Sequence, residues 1–263
     1  MNAPIGVIDS GVGGLTVVRE LRKYLPNEPI IYIGDDARCP YGPRTAEEVL
    51  QFTLEMVSSL AEMGVKMLVI ACNTATAVAL DKVQSLFSFP VIGVIQPGAR
   101  AAVKASSTGE VAVLGTLGTV NSRAYDQALQ QLTPEAVVHS LACPEFVPIV
   151  ESGEYRSAAA RTIVDRTLQP LHASSFDTVI LGCTHFPLLQ EHIEEHFHGQ
   201  KHIISSAVET VIDVDRILRE QQIESSAAQL PVFYTTGSVE KFRSIVADWL
   251  SIPFPDVRSI TFK

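Results

Sequence analysis

The chain has no apolar stretch approaching the roughly 20 residues that cross a bilayer. Its first residues, MNAPIGVIDS, show neither the basic start nor the apolar core of a signal peptide. A membrane role is not expected, and the composition fits a cytoplasmic protein. Clustered basic residues are also missing, and the formal net charge is −9. That balance argues against nucleic-acid binding, which needs a basic surface against phosphate. It gives an anionic substrate no long-range steering, so any anion site has to be built locally from amides and hydroxyls. Cysteine is scarce: the four (Cys39, Cys72, Cys143, Cys183) include no C-x-x-C pair. This speaks against a disulfide framework and against thiol–disulfide exchange. A dinucleotide fingerprint is absent too. The turn D-S-G-V-G-G-L-T spaces its glycines as G-x-G-G, and Asp35-Asp36 only approach the acidic position such a site requires, so a nicotinamide cofactor is not expected.

What the chain does have is α/β patterning from end to end. Its 263 residues, 46% hydrophobic and 19% charged, allow one large domain or two moderate ones. Short runs at Ile5–Ile8, Ile30–Ile33, Met67–Ala71, Val91–Val94, Val111–Leu114, Val137–Leu141 and Val179–Leu181 read as strands. Helical spacing follows at Leu15–Leu25, Glu47–Met63, Ala75–Phe87, Ser122–Leu132, Ala158–Leu168 and Pro187–Phe197. Strands that are apolar throughout and alternate with helices predict parallel sheets covered on both faces. G-V-I-D-S-G-V-G-G and A-V-L-G-T-L-G-T-V echo each other, each a strand before a Gly-rich turn. The expectation is therefore two pseudo-symmetric α/β domains, joined near Gln96–Thr108 where Pro, Gly and Ser collect. A strand at Leu230–Thr236 and a helix at Val239–Leu250 fit either half.

Ligands of such sheets bind beyond the carboxyl ends of the strands. Asp9-Ser10, Cys72-Asn73-Thr74, Gly115-Thr116 and Cys183-Thr184-His185 all lie at such ends. Gly11, Gly13 and Gly14 suit a tight turn as well as anion binding by their amides. Taken alone, a cysteine reads as a small buried hydrophobe, and Cys39 and Cys143, each just before a proline, fit that description. Cys72 and Cys183 differ: each ends an apolar run, precedes a polar residue and opens a predicted helix, where unpaired amides lower a thiol's pKa. His185 supplies a proton partner two residues from Cys183. Two thiols, one from each half, facing one cleft suit inversion at a carbon bearing a weakly acidic C–H: one thiolate removes the proton and the opposite thiol delivers another. A metal site made of Cys72, Cys183, His185 and Asp9 is a weaker reading, because no local pair has zinc-like spacing.

With these residues in view the chain resembles the cofactor-independent aspartate/glutamate racemase family over essentially its whole length. The resemblance rests on I-D-S-G-V-G-G-L-T (Ile8–Thr16), P-Y-G (Pro40–Gly42), A-C-N-T-A (Ala71–Ala75), G-T-x-x-T (Gly115–Thr119) and G-C-T-H-F-P-L-L (Gly182–Leu189). The C-T-H form points to the glutamate branch rather than the aspartate branch. A racemase of another amino acid such as aspartate, and a non-catalytic anion-binding module, are the alternatives; the module has no use for two thiols.

The resemblance implies that Cys72 acts on D-glutamate and Cys183 on L-glutamate. Asp9 would assist Cys72, and His185 would assist Cys183, with Glu151 of P-E-F-V-P-I-V-E as the acidic residue near that histidine. Ser10, Tyr41, Gly42, Asn73, Thr74 and Thr184 match positions that hold the substrate carboxylates, a task to which Asp9 and His185 also contribute. Phe186 stands where many members have Tyr. The resemblance further implies no pyridoxal phosphate and no metal, L-/D-glutamate as the small-molecule partner, and D-glutamate made for peptidoglycan. It implies two domains with the site in the cleft between them: residues 1–95 plus about 208–263 as the first, and 96–207 as the second. Some members depend on a cell-wall precursor as activator through an N-terminal extension; this chain opens directly on a strand, so no such dependence is expected. Homodimers are common in the family, although no motif here fixes an interface.

Overall fold

The computed structural model describes residues 3–227 and 229–262; Met1, Asn2, Ala228 and Lys263, which fall within the expected domain ranges, lie outside the described residues. Among the described residues ten strands form two sheets. They are β1 (Ile5–Asp9), β2 (Ile30–Gly34), β3 (Met67–Ile70), β4 (Val91–Gly93), β5 (Glu110–Gly115), β6 (Val137–Ala142), β7 (Thr178–Gly182), β8 (His202–Ser205), β9 (Val232–Thr235) and β10 (Asp256–Ser259). The first sheet runs β10-β9-β2-β1-β3-β4 and the second β6-β5-β7-β8. Every pairing is parallel.

The internal echo in the sequence corresponds to a shared strand order. β2-β1-β3-β4 and β6-β5-β7-β8 are the same arrangement, so the chain reverses direction between β1 and β3 and again between β5 and β7. Such reversals open a crevice at the carboxyl ends of the two strands. Asp9 and Cys72 flank the first crevice; Thr116 and Cys183 flank the second.

Both sheets are covered on both faces, which is why their inner strands are apolar without alternation. The helices are α1 (Leu15–Tyr24), α2 (Ala46–Glu62), α3 (Asn73–Leu86), α4 (Ile95–Ala105), α5 (Leu117–Ser122), α6 (Ala124–Leu132), α7 (Phe146–Glu151), α8 (Ala158–Leu168), α9 (Gln190–His196), α10 (Ser206–Gln221) and α11 (Val239–Leu250). In the first sheet Ile5, Val7, Met67 and Val69 face α1, α10 and α11, whereas Ile8, Leu68 and Ile70 face α2 and α3. In the second, Ala112, Leu114, Val179 and Leu181 face α7, α8 and α9, and Val111, Val113 and Ile180 face α4 and α6. This is the period-two alternation of a pleated strand. α2 starts at a capping box: Thr45 Oγ1 accepts from the Glu48 amide at 3.2 Å, and Glu48 accepts from the Thr45 amide at 3.0 Å.

The structure adds to the sequence reading at several points. The segment Gln96–Thr108, near which the two halves are expected to join, is largely α4, whose Ile95, Ala99 and Ala102 are core residues. Pro97 falls in the first turn, where its missing N–H is not needed, and the following A-R-A-A-V-K-A is good helix former. The stretch Pro187–Phe197 divides into a 3-10 turn, Phe186–Leu189, and the short α9. α7, β8, α10 and β10 carry no clear signal in the sequence; β10, D-V-R-S, buries only Val257. The C-terminal strand β9 pairs with β2 in the first sheet. Among the described residues no helix is long and apolar enough to cross a membrane.

Candidate active site

The two crevices face each other. Between them lies one enclosed cavity of about 20 Å³, lined by Ser10, Cys39, Pro40, Tyr41, Gly42, Cys72, Asn73, Thr74, Thr116, Val147, Cys183, Thr184 and His185. That volume holds little more than one water molecule. A more open groove of about 590 Å³ runs along α2 beside Thr261 and Phe262. Its lining has hydroxyls but no cysteine, histidine or lysine, and its Glu47, Glu55 and Glu62 would repel an anion.

Glycines let the halves touch. A Cβ at Gly13 would lie 2.3 Å from Thr184 Oγ1 and 2.5 Å from His185 Nδ1, so this turn can cover the Cys183 loop only without a side chain. Hydrogen bonds join the same surfaces: Thr184 Oγ1 donates to Asp9 at 3.2 Å, Thr16 Oγ1 donates to the Thr184 carbonyl at 3.2 Å, and the Gly118 amide donates to the Gly42 carbonyl at 2.9 Å.

The two thiols, both buried, have different surroundings. Cys72 is the N-cap of α3: its sulfur accepts from the Ala75 amide at 3.4 Å, while its S–H donates to Ser10 Oγ at 3.7 Å. Despite that helix end, burial and the nearby Asp9 carboxylate push the Cys72 thiol up to about 12. The depressed pKa expected from the helix N-terminus is not found, because desolvation outweighs one amide and one hydroxyl. Cys183 opens no α-helix; the 3-10 turn follows it. Its Sγ lies 3.8 Å from Nδ1 of His185, and Nε2 of His185 lies 3.1 Å from Glu151 at the end of α7. Burial disfavours a charged imidazole, but the hydrogen bonds to Cys183 and Glu151 prevail and push His185 up to about 10. The ring is therefore imidazolium near neutral pH. Glu151, despite its own burial, is held below the usual carboxylate range by that bond. Burial raises Asp9, against His185 and donors that include the Gly14 and Gly11 amides and Thr184.

The remaining residues proposed from the sequence divide by what they offer. Asn73 Oδ1 accepts from Tyr125 OH at 2.8 Å, and its Nδ2 is buried with no partner among the described residues. An orphaned amide donor of this kind is costly unless a ligand acceptor meets it. Ser10, Thr74, Thr184 and the Gly42 backbone line the same cavity. Tyr41 lines it as well, but its hydroxyl is committed to Asp35 at 2.5 Å. Phe186 is fully buried and packs edge-on against Phe146 at 5.0 Å, so no hydroxyl is missed there.

Two features exceed the sequence reading. Thr74, Thr116 and Thr119 form a triangle of hydroxyls 2.9–3.2 Å apart across the two halves. The strand end at Gly115 and the G-T-x-x-T motif pointed to it. Cys39, read as filler, instead donates its S–H to Glu151 at 3.3 Å; nothing local in the sequence marks that contact. Among the described residues no group of three or more His, Cys, Asp or Glu is arranged to hold a metal ion, which leaves the four-ligand metal reading without geometric support.

The family model for Asp/Glu/hydantoin racemases matches residues 5–212. The chain belongs to that family. It is 54% identical to a glutamate racemase of Lysinibacillus sphaericus, with all of both chains covered. A solved glutamate racemase from Bacillus anthracis superposes with a TM-score of 0.96 at 46% identity, covering 98% of this chain and 97% of that one. Another, from Francisella tularensis and in complex with D-glutamate, gives a TM-score of 0.93 at 33% identity over 99% and 98% of the two chains. The fold is thus α/β with two parallel sheets, as in these racemases.

Proposed function

We propose that this protein is a glutamate racemase that interconverts L- and D-glutamate with two cysteine bases and supplies D-glutamate for peptidoglycan in the cytoplasm. One observation carries the mechanism: two buried thiols, one from each sheet, line a single cavity, and each has its own proton partners. The names of the close relatives support the substrate.

Cys183, as a thiolate beside the His185 imidazolium, removes the α-proton of L-glutamate. Cys72, still protonated, delivers a proton to the opposite face. The reverse reaction exchanges the roles, with Asp9 assisting Cys72. The carboxylates of the substrate take the Asn73 amide, the hydroxyls of Ser10, Thr74 and Thr184, and the backbone near Gly42. Thr116 and Thr119 extend that donor set. Cavity-lining residues include no lysine for a Schiff base, and the thiols themselves suffice for proton transfer. Residues 1–95 with about 208–263 form one domain and 96–207 the other, and their separation admits the substrate.

The test is incubation of the purified protein with L-glutamate in deuterated water without additives, and with L-aspartate in parallel. Optical activity of glutamate should decay to zero. Early product should carry deuterium at Cα while recovered substrate stays mostly unlabelled. Decay with aspartate alone overturns the substrate, and early label in both enantiomers overturns the two-base mechanism.

A further inference from the structure

Glu151 Oε1 accepts from two donors at once: Nε2 of His185 at 3.1 Å and the thiol of Cys39 at 3.3 Å. His185 and Glu151 belong to the second half of the chain, whereas Cys39 comes from the first. Its segment is braced on both sides. Arg38 bonds Asp35 at 2.6 Å and Glu55 at 2.5 Å, with its guanidinium 4.0 Å over the Phe52 ring, and the Tyr41 hydroxyl bonds Asp35. Cys39 is therefore held in place, whereas the Glu151 side chain is still 24% exposed and has several rotatable bonds.

We propose that Cys39 is a positioning residue for the Cys183 face of the reaction, its S–H pinning the Glu151 carboxylate in line with Nε2 of His185. This rests on the two-thiol reading above. A thiol suits the task because it is a weak donor: it restrains the oxygen while leaving most of its charge to the imidazolium. It does not act as a third base, since burial and the Glu151 carboxylate push its pKa well up. The contact also ties the orientation of His185 to closure of the halves, because the donor and the carboxylate lie on opposite sides of the cleft.

Single-thiol backgrounds separate the faces. With a β-chloro-glutamate, the thiolate takes the α-proton, chloride leaves the β-carbon, and the enamine formed hydrolyses to keto acid and ammonium. Cys72→Ala should eliminate from the L-isomer through Cys183, and Cys183→Ala from the D-isomer through Cys72. Adding Cys39→Ala should slow the L-elimination roughly 3- to 10-fold, the value of one hydrogen bond, and the D-elimination less than about twofold. Cys39→Ser, which keeps a donor at nearly the same volume, should restore the L-elimination. Equal slowing on both faces, no slowing of the L-isomer, or a serine variant as impaired as the alanine one overturns the proposal. If neither single-thiol variant eliminates, the two-thiol reading itself fails and takes this inference with it.

Discussion

Replacing Glu151 by Gln keeps the shape of the His185 contact and removes its charge. Two unit charges 3.1 Å apart attract by about 5 kcal/mol at an effective dielectric of about 20. Glu151 is partly exposed, so the net value of a charged hydrogen bond, about 1.5–3 kcal/mol, is the better guide. At 1.36 kcal/mol per pKa unit this lowers His185 by about 1–2 units, from about 10. The sign follows from linkage. A histidine raised above its ordinary value contributes stability that is complete below about pH 6.5 and lost as pH rises through its folded value. Glu151, held low, contributes above about pH 4.3 and loses that contribution as pH falls. The pair is therefore intact across neutral pH, and the variant loses the imidazolium earlier on the alkaline side. The assay is kcat/KM for glutamate across roughly pH 6–11. Its alkaline limb should move down by about 1–2 units in Glu151→Gln, identically in both directions, because enantiomers of equal free energy fix the two kcat/KM values to be the same. An unmoved alkaline limb would refute the assignment of Glu151 as the charge partner of His185.

Asn73→Ala should lower kcat/KM roughly 10- to 100-fold, since its unpartnered Nδ2 is the donor best placed to meet a charged carboxylate. Arg44→Ala should matter far less, because Arg44 faces Glu48 and the Arg38 carbonyl outside the cavity; steady-state kinetics with equal or greater loss from Arg44→Ala would misplace the anion site. Gly13→Ala forces a methyl to 2.3 Å from Thr184 Oγ1 and should prevent the halves from closing. Activity should fall at least tenfold while thermal unfolding of the free protein changes by only a few degrees, and a variant of near-normal activity would mean that closure does not depend on this contact.

The architecture was legible because parallel strands buried on both faces are written as uninterrupted apolar runs. β1, β3 and β7 stood out for that reason, and their carboxyl ends carried the polar residues that proved to share one cavity. β10 and β8 were not legible because an edge strand buries little: only Val257 in D-V-R-S is buried. α4 is hidden in the sequence because Pro97 and Gly98 look like linker residues until their position in the first turn is known. Gly98 is in fact a packing residue, with Ser206 Cβ 3.1 Å from where its own Cβ would be. The Cys39–Glu151 contact spans 112 positions, and no periodicity or motif encodes a meeting of that kind.

The two halves share a strand order but not the chemistry at the matching thiols, and the backbone explains the difference. After Cys72 the chain enters α3 directly, and the amide three residues on, Ala75, points at the sulfur. After Cys183 the corresponding amide, Phe186, bonds to the Cys183 carbonyl instead at 3.1 Å, closing the turn that leads into the 3-10 segment. The second sulfur is thereby deprived of a backbone cap. The same turn places His185 beside it, and α7 brings Glu151 to the far side of that ring. One thiol is held by a helix end and a hydroxyl and keeps its proton; the other is held by an imidazolium. In the proposed two-thiol inversion one group gives a proton while the other takes one, and the divergence of the two turns would supply that complementarity without any change in the shared α/β frame.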